Sequence, residues 1–273
     1  MKVSKQFSSV ALGLFLLSIS QAILADKSIK LATTTSTENS GLLAVLHPIF
    51  EKKHGIRVDV LAMGTGKALR TGGNGDVDVV FVHAPAAELQ YVAEGHFTDR
   101  AAVMHNDFVI VGPKADPAKL GELKTIDEAL TRIVETQSTF VSRGDDSGTH
   151  KKEKGLWQSI GLTPNKNWSA WYAEAGQGMG AVLRIANDKQ AYALTDRGTQ
   201  IAFADKLSLV VLFEGDEGLF NPYHVMAVNP EKHADVKYDS AQKYIAFVTS
   251  KEGQAVISAY RKGGQQLFYP DVK

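Results

Sequence analysis

Four stretches of this chain set small hydroxyl or glycine residues between an apolar run and a helical pattern. They are ATTTSTENSG (Ala32 to Gly41), AMGTGKALR (Ala62 to Arg70), SRGDDSGTHKKE (Ser142 to Glu153) and EAGQGMGAVLR (Glu174 to Arg184). The first turn of a helix leaves about four N–H groups without partners, and the helix dipole places positive potential there. Glycine lets a ligand approach the backbone, and serine or threonine adds a hydroxyl donor. This chemistry suits a small oxyanion. Any one stretch is explained by N-capping, since Ser and Thr favour that position. Four of them, rich in glycine, favour a shared anion site. Arg143 supplies the charge: a guanidinium carries several fixed donors and stays protonated. Asp145 and Asp146 either pair with it outright or hold it in place.

Other chemistries lack their parts. A phosphate loop of the form G-x-x-x-x-G-K-[ST] needs glycine at 61 and a hydroxyl at 68, where Leu61 and Ala68 stand. GQGMG has neither the spacing of a dinucleotide loop nor its following acid. Ser147 and His150 are three apart with no third partner for nucleophilic catalysis. The eight histidines show no H-x-x-x-H pair. RGD at Arg143–Asp145 reads as a turn. Trp157, Trp168 and Trp171 are expected in the core rather than along a cleft.

The elements that must position the four stretches follow from periodicity. Strands are expected at 28–32, 57–63, 78–82 and 108–111, with helices near 40–54, from 66, and at 85–94. Gly112-Pro113 breaks this set. The alternation restarts with a capping box, Thr125 and Glu128, opening a helix through Ile133. Strands at 139–142, 167–173, 191–195 and 207–213 then alternate with helices at 147–160, 178–187 and from 196. A second connection at 214–218 leads to a strand at 224–228 and two helices near 240–249 and 252–260. Repeated βα units predict mostly parallel sheets flanked by helices. Two sets joined at two places predict an α/β protein of two lobes with a two-strand hinge and a cleft. Residues 26–110 with 221–273 form the expected first lobe, and 111–220 the second. In open α/β sheets ligands bind at the carboxyl ends of strands, where all four stretches fall.

The N-terminus reads as a secretory signal peptide, residues 1–25. Lys2 and Lys5 precede an apolar run from Val10 to Ile19, and small residues follow at Ser20, Ala22 and Ala25. Cleavage is expected after Ala25, with Ala22 as the alternative. The chain has no cysteine, so neither a disulfide nor an N-terminal lipid anchor through Cys is available. A freely diffusing periplasmic protein is expected. Zero formal charge, less Lys2 and Lys5, leaves about −2 and no nucleic-acid footprint.

TTTST after the first strand, GTGKAL after the second and SRGDDSGTH followed by KKE resemble the tungstate-binding components of bacterial ABC importers. QGMG and YALTDRGT (Tyr192–Thr199) match later blocks of the same family, so the likeness spans essentially the whole mature chain. It implies a type II periplasmic binding protein closing on a tetrahedral oxyanion. Carried over by residue, it implies a ligand site of Thr34, Thr35, Ser36, Thr65, Arg143, Ser147, Thr149, Gly178 and Met179. Hydroxyls would donate from the first three stretches, and backbone N–H groups of Gly178 and Met179 from the fourth. Thr195 stays outside this set. No catalytic residue, cofactor or free metal cation is implied, tungsten being bound as its oxyanion. The partners implied are tungstate or molybdate and the permease subunits of an importer, with the binder itself a monomer.

Residue chemistry leaves the anion open. Tungstate at neutral pH has no proton to donate and needs only donors. Hydrogen phosphate rewards an acceptor, for which Glu38, Asp145 or Asp146 would serve. Tungstate is selected by the resemblance alone, with molybdate and phosphate binding as alternatives. An exported hydrolase of phosphate esters and a lobe reporting to a membrane sensor are the more distant ones.

Overall fold

A computed structural model describes residues 27–272; the expected signal peptide, 1–25, lies outside the described residues. The first unit contains β1 (Ser28–Thr34), α1 (Thr35–Ser40), α2 (Leu43–His54), β2 (Arg57–Met63), α3 (Thr65–Gly73), β3 (Val79–Val82), α4 (Pro85–Ala93) and the start of β4 (Phe97–Gly112). The second contains α5 (Ile126–Thr136), β5 (Phe140–Ser142), α6 (Gly148–Ser159), β6 (Tyr172–Glu174), α7 (Met179–Lys189), β7 (Ala193–Asp196), α8 (Arg197–Phe203) and β8 (Val210–Phe213). The chain returns through β9 (Phe220–Val228), α9 (Tyr238–Val248) and α10 (Lys251–Ala259), and ends in three short strands, β10 (Arg261–Lys262), β11 (Gln265–Gln266) and β12 (Tyr269–Pro270).

The cores divide as the two lobes require. Ile29, Leu31, Phe50, Phe81, Tyr223, Tyr244 and Phe247 pack on one face of the first sheet. Ala68, Leu69, Val80, Val82, Phe97 and Met226 pack on the other. From Phe108 to Leu219 the buried side chains belong to separate clusters around Phe140, Trp157 and Tyr192, and around Val109, Val182 and Leu183. The three tryptophans join that second core: Trp157 is fully buried, and Trp168 and Trp171 pack with centroids 4.7 Å apart.

The parallel expectation holds for β1 against β2 and β3, and for β5 against β6. β9 runs antiparallel between β3 and β4, so the large sheet is mixed, in the order β12-β4-β9-β3-β1-β2. The strand expected at 108–111 is only the end of the sixteen-residue β4. Its first part pairs with β9 through Asp107, and from Phe108 it pairs with β7 in the other lobe. Two register shifts and Asp99 at φ 53° interrupt its early alternation, which hides it from a period-two search.

Two further differences bear on the site. The helix expected at 40–54 is α2, starting at Leu43, and a short helix not expected from sequence, α1, precedes it; Gly41 at φ 86° ends α1, its N–H donating to the Glu38 carbonyl at 3.1 Å. The hydroxyl-rich stretch is therefore itself helical. The strand expected at 167–173 shrinks to β6, with Lys166–Trp168 forming a 3₁₀ turn. The capping box opens α5 as expected, with the Glu128 N–H donating to Thr125 and the Glu128 carboxylate accepting from the Thr125 N–H.

Candidate functional site

The carboxyl ends of β1, β2 and β3 point into a cleft, and the loops after β5 and β6 meet them from the other lobe. One cavity there, of about 510 Å³, is lined by Thr34, Thr35, Ser36, Thr65, Arg143, Ser147, Thr149 and Gly178. The ninth expected residue, Met179, lines an adjoining cavity of about 430 Å³ that shares Thr35, Ser36, Arg143 and Gly178 with the first. All nine expected site residues thus fall on one continuous cleft. Thr195, left outside the expected set, is fully buried and donates to the Asp196 carbonyl at 3.3 Å.

Each segment contributes a different donor. Thr34 and Ser147 are N-caps: Thr34 accepts from the Thr37 N–H at 3.1 Å and Ser147 from the His150 N–H at 3.3 Å. Capping does not exclude a ligand role, because a hydroxyl that accepts still has its hydrogen to donate. α3 and α7 start after Gly64 and Gly178, with no side chain satisfying their first N–H groups. Those starts, with that of α6, direct spare amides and dipole potential toward the cleft.

Arg143 follows β5, its side chain only 14% exposed, and pairs with Asp145. Nε donates to Oδ1 and Oδ2 of Asp145 at 3.2 and 3.1 Å, and Nη2 donates to Oδ2. The Ser147 N–H also donates to Asp145 Oδ1 at 3.1 Å. Burial works to raise the Asp145 carboxyl; its bonds to Arg143 and Ser147 outweigh that and hold it below the usual carboxylate range. The ion pair expected as an alternative is therefore present, and it places the guanidinium on the cleft wall. Gly144, at φ 62°, makes the turn possible: a Cβ there would fall 2.6 Å from Glu174 Cβ. Asp146 bonds to Lys151 Nζ at 2.9 Å, which lowers its carboxyl.

The lobes touch across the cleft. A Cβ on Gly148 would lie 3.0 Å from Thr65 Oγ1 and 3.4 Å from His83 Cε1. The Ser147–His150 pair carries no nucleophile–base bond: His150 Nδ1 accepts from the Asp146 N–H at 2.9 Å.

Sequence reasoning missed His83, Lys67 and Arg70, all of which line the cavity. His83 is buried directly after β3 and stacks on Tyr223 with centroids 4.5 Å apart. Burial keeps its pKa below the usual histidine range. Its place at the carboxyl end of a predicted strand was the available signal. Lys67 and Arg70 stand within GTGKALR, and their charge beside the start of α3 was the signal for them.

A two-lobed α/β fold with an anion-type cleft defines a class, the periplasmic-type binding proteins, and the sequence profile of a PBP superfamily domain matches residues 21–252. The tungstate-binding protein TupA of Peptoclostridium acidaminophilum is 45% identical over 251 residues, covering 90% of this chain and 87% of that protein. A solved tungstate ABC transporter structure from Geobacter sulfurreducens is 56% identical, covers 86% of this chain and all of its own, and superposes with a TM-score of 0.78. The tungstate-binding protein TupA of Desulfovibrio alaskensis G20 is 44% identical over 90% of this chain and all of its own, with a TM-score of 0.82. The chain belongs to the TupA family of the PBP superfamily.

Proposed function

We propose that this chain captures tungstate in the cleft between its lobes and delivers it, in the periplasm, to the permease of an ABC importer. The observation that carries the reading is the convergence of Arg143 with three helix starts and the Thr34–Ser36 hydroxyls on one small cavity. A tetrahedral dianion without a proton needs donors on every side, and each hydrogen bond to a charged group contributes roughly 1.5–3 kcal/mol. In this reading Arg143 is the clamp, and Ser36, Thr65, Ser147 and Thr149 donate hydroxyl hydrogens. Gly178 and Met179 donate from the backbone. Asp145 is already taken by Arg143 and Ser147, which leaves it a poor acceptor for the proton of hydrogen phosphate.

The choice of tungstate over molybdate rests on the relatives, since the two dianions share charge and shape. The lobes divide close to the expected 26–110 with 221–273, and 111–220; the change of strand partner at Asp107–Phe108 and of core between Leu219 and Tyr223 supports two units and puts residues 108–110 with the second. Residues 1–25 direct export and are removed, and the monomer acts as a binder rather than a catalyst. Isothermal titration with tungstate, molybdate, sulfate and phosphate tests the reading. Tungstate and molybdate should bind far more tightly than the other two. Phosphate binding most tightly would remove the tungstate assignment, and no binding of any of the four would remove the function.

A further inference from the structure

α5 and α6 open with caps of the same plan that differ in one residue type. At α5, Glu128 Oε2 accepts from the Lys124 N–H at 3.0 Å and the Thr125 N–H at 3.1 Å, and Thr125 Oγ1 accepts from the Glu128 N–H. The corresponding third helical position of α6 is His150. Ser147 Oγ accepts from the His150 N–H at 3.3 Å, and His150 Nδ1 accepts from the Asp146 N–H at 2.9 Å. Glutamate or glutamine usually fills this place. An imidazole that accepts through Nδ1 is neutral and carries its hydrogen on Nε2. Burial, with Lys154 nearby, holds the ring below the usual histidine range.

The difference matches what each helix faces. No residue of α5 lines the cleft, whereas Gly148 and Thr149 of α6 do. A carboxylate at the third position of α6 would set a negative charge at a helix start that faces the anion, against the dipole there. The other carboxylates of this turn already have cations: Asp145 has Arg143, and Asp146 has Lys151 at 2.9 Å and Lys154 at 3.7 Å. The imidazole accepts the same kind of bond without adding charge. What it holds bears on Arg143. Gly144 at φ 62° and Asp146 at φ 56° both lie in the left-handed region, which an aspartate adopts at a cost. The bond from the Asp146 N–H to His150 fixes this turn, and its middle residue, Asp145, receives the Arg143 guanidinium and the Ser147 N–H. His150 is only 7% exposed, and its Nε2 points across to Glu174 Oε1 at 3.7 Å, so the ring stands between the third and fourth stretches.

We infer that His150 is a positioning residue of the anion site, an uncharged cap that holds the turn carrying Arg143 and leaves the start of α6 positive for an oxyanion. The inference rests on the proposed anion-binding function and deepens it. Loss of the acceptor releases the Asp146 N–H and with it the turn. Replacement of the ring by a carboxylate keeps the turn and spoils the potential.

The test combines tungstate calorimetry and thermal melts on wild type, His150→Leu, His150→Asn and His150→Glu with long-range ¹H–¹⁵N spectra of the wild-type imidazole. The spectra should show the hydrogen on Nε2. His150→Leu fills the space without an acceptor and should weaken tungstate binding about fivefold or more, the size of one net hydrogen bond. His150→Asn, whose Oδ1 falls near the place of Nδ1, should keep most of the affinity. His150→Glu still accepts from the Asp146 N–H, so it should melt with the wild type yet bind tungstate about fivefold or more weakly. A purely structural cap would instead move stability and affinity together. A hydrogen on Nδ1, an unchanged affinity in His150→Leu, or a loss in His150→Asn as large as in His150→Leu overturns the inference. So does a His150→Glu protein that binds as tightly as wild type, or that loses affinity only in step with its melting temperature. All of these leave the binding function standing. Should His150→Leu not fold, the wild-type tautomer, His150→Asn and His150→Glu decide. A wild-type protein that binds none of tungstate, molybdate, sulfate and phosphate removes the function itself, and this inference with it.

Discussion

Arg143 stands at the point where both lobes can reach a small anion, and its neighbours explain how a long side chain is kept there. Asp145 receives the guanidinium and the Ser147 N–H together, so the charge is held in position without being buried unpaired. Replacing Arg143 by alanine should weaken tungstate binding by about 2–5 kcal/mol, the usual cost of removing one partner of a buried charge pair. The ligand-free melting temperature should scarcely move, because Asp145 retains the Ser147 N–H. Thr149→Ala should cost less, about 1–2 kcal/mol. Titration and thermal melts read both, and an unaltered affinity in Arg143→Ala would take that residue out of the site. At this scale most of the site was legible: a hydroxyl, a glycine or an arginine beside a helix start announces its chemistry by type. His83 was not, since a lone histidine carries no partner in sequence. Its ring partner Asn221 is separated from it by 138 positions.

Among the elements, the βα units were legible because their apolar periods are clean, as in β1, β2 and α5. α1 was hidden, since six polar residues have no apolar face to reveal a helical period. β4 was hidden by its register shifts. Packing of α2 against α9 carries a consequence that sequence could not give. His47 on α2 lies 3.0 Å from the Tyr244 hydroxyl on α9, and burial lowers its pKa from 6.5 to about 4. The unfolded chain therefore takes up this proton first. Stability from this group is complete above about pH 6.5 and falls as the pH drops toward 4, by about 3 kcal/mol in all. Urea unfolding across that range should show the fall in the wild type and a flatter curve in His47→Gln. Parallel curves for the two proteins would show that His47 is not buried as a neutral ring.

At the scale of the molecule, two lobes with separate cores share two crossings, and the cleft sits beside them. Arg197 at the start of α8 bonds to Asp107 on β4 at 2.9 Å and to Glu214 on the returning segment at 2.5 Å, so one side chain holds both crossings. Gly148 and Thr65 meet across the cleft, which brings donors of opposite lobes onto one small volume. The two-lobe plan was legible in the double run of βα units and its two breaks. The distance between the lobes was not, because it depends on contacts such as Gly148 with Thr65 that no local pattern encodes. The central claim is that both lobes aim their donors at one oxyanion. Crystals grown with tungstate, measured at the tungsten absorption edge, test it most directly. The account predicts one dominant anomalous peak in the cleft, its oxygens within hydrogen-bonding reach of Arg143 and of the starts of α6 and α7. A dominant peak away from Arg143, whether on an outer face or in the hinge-side hollow near His105 and Tyr269, would contradict it.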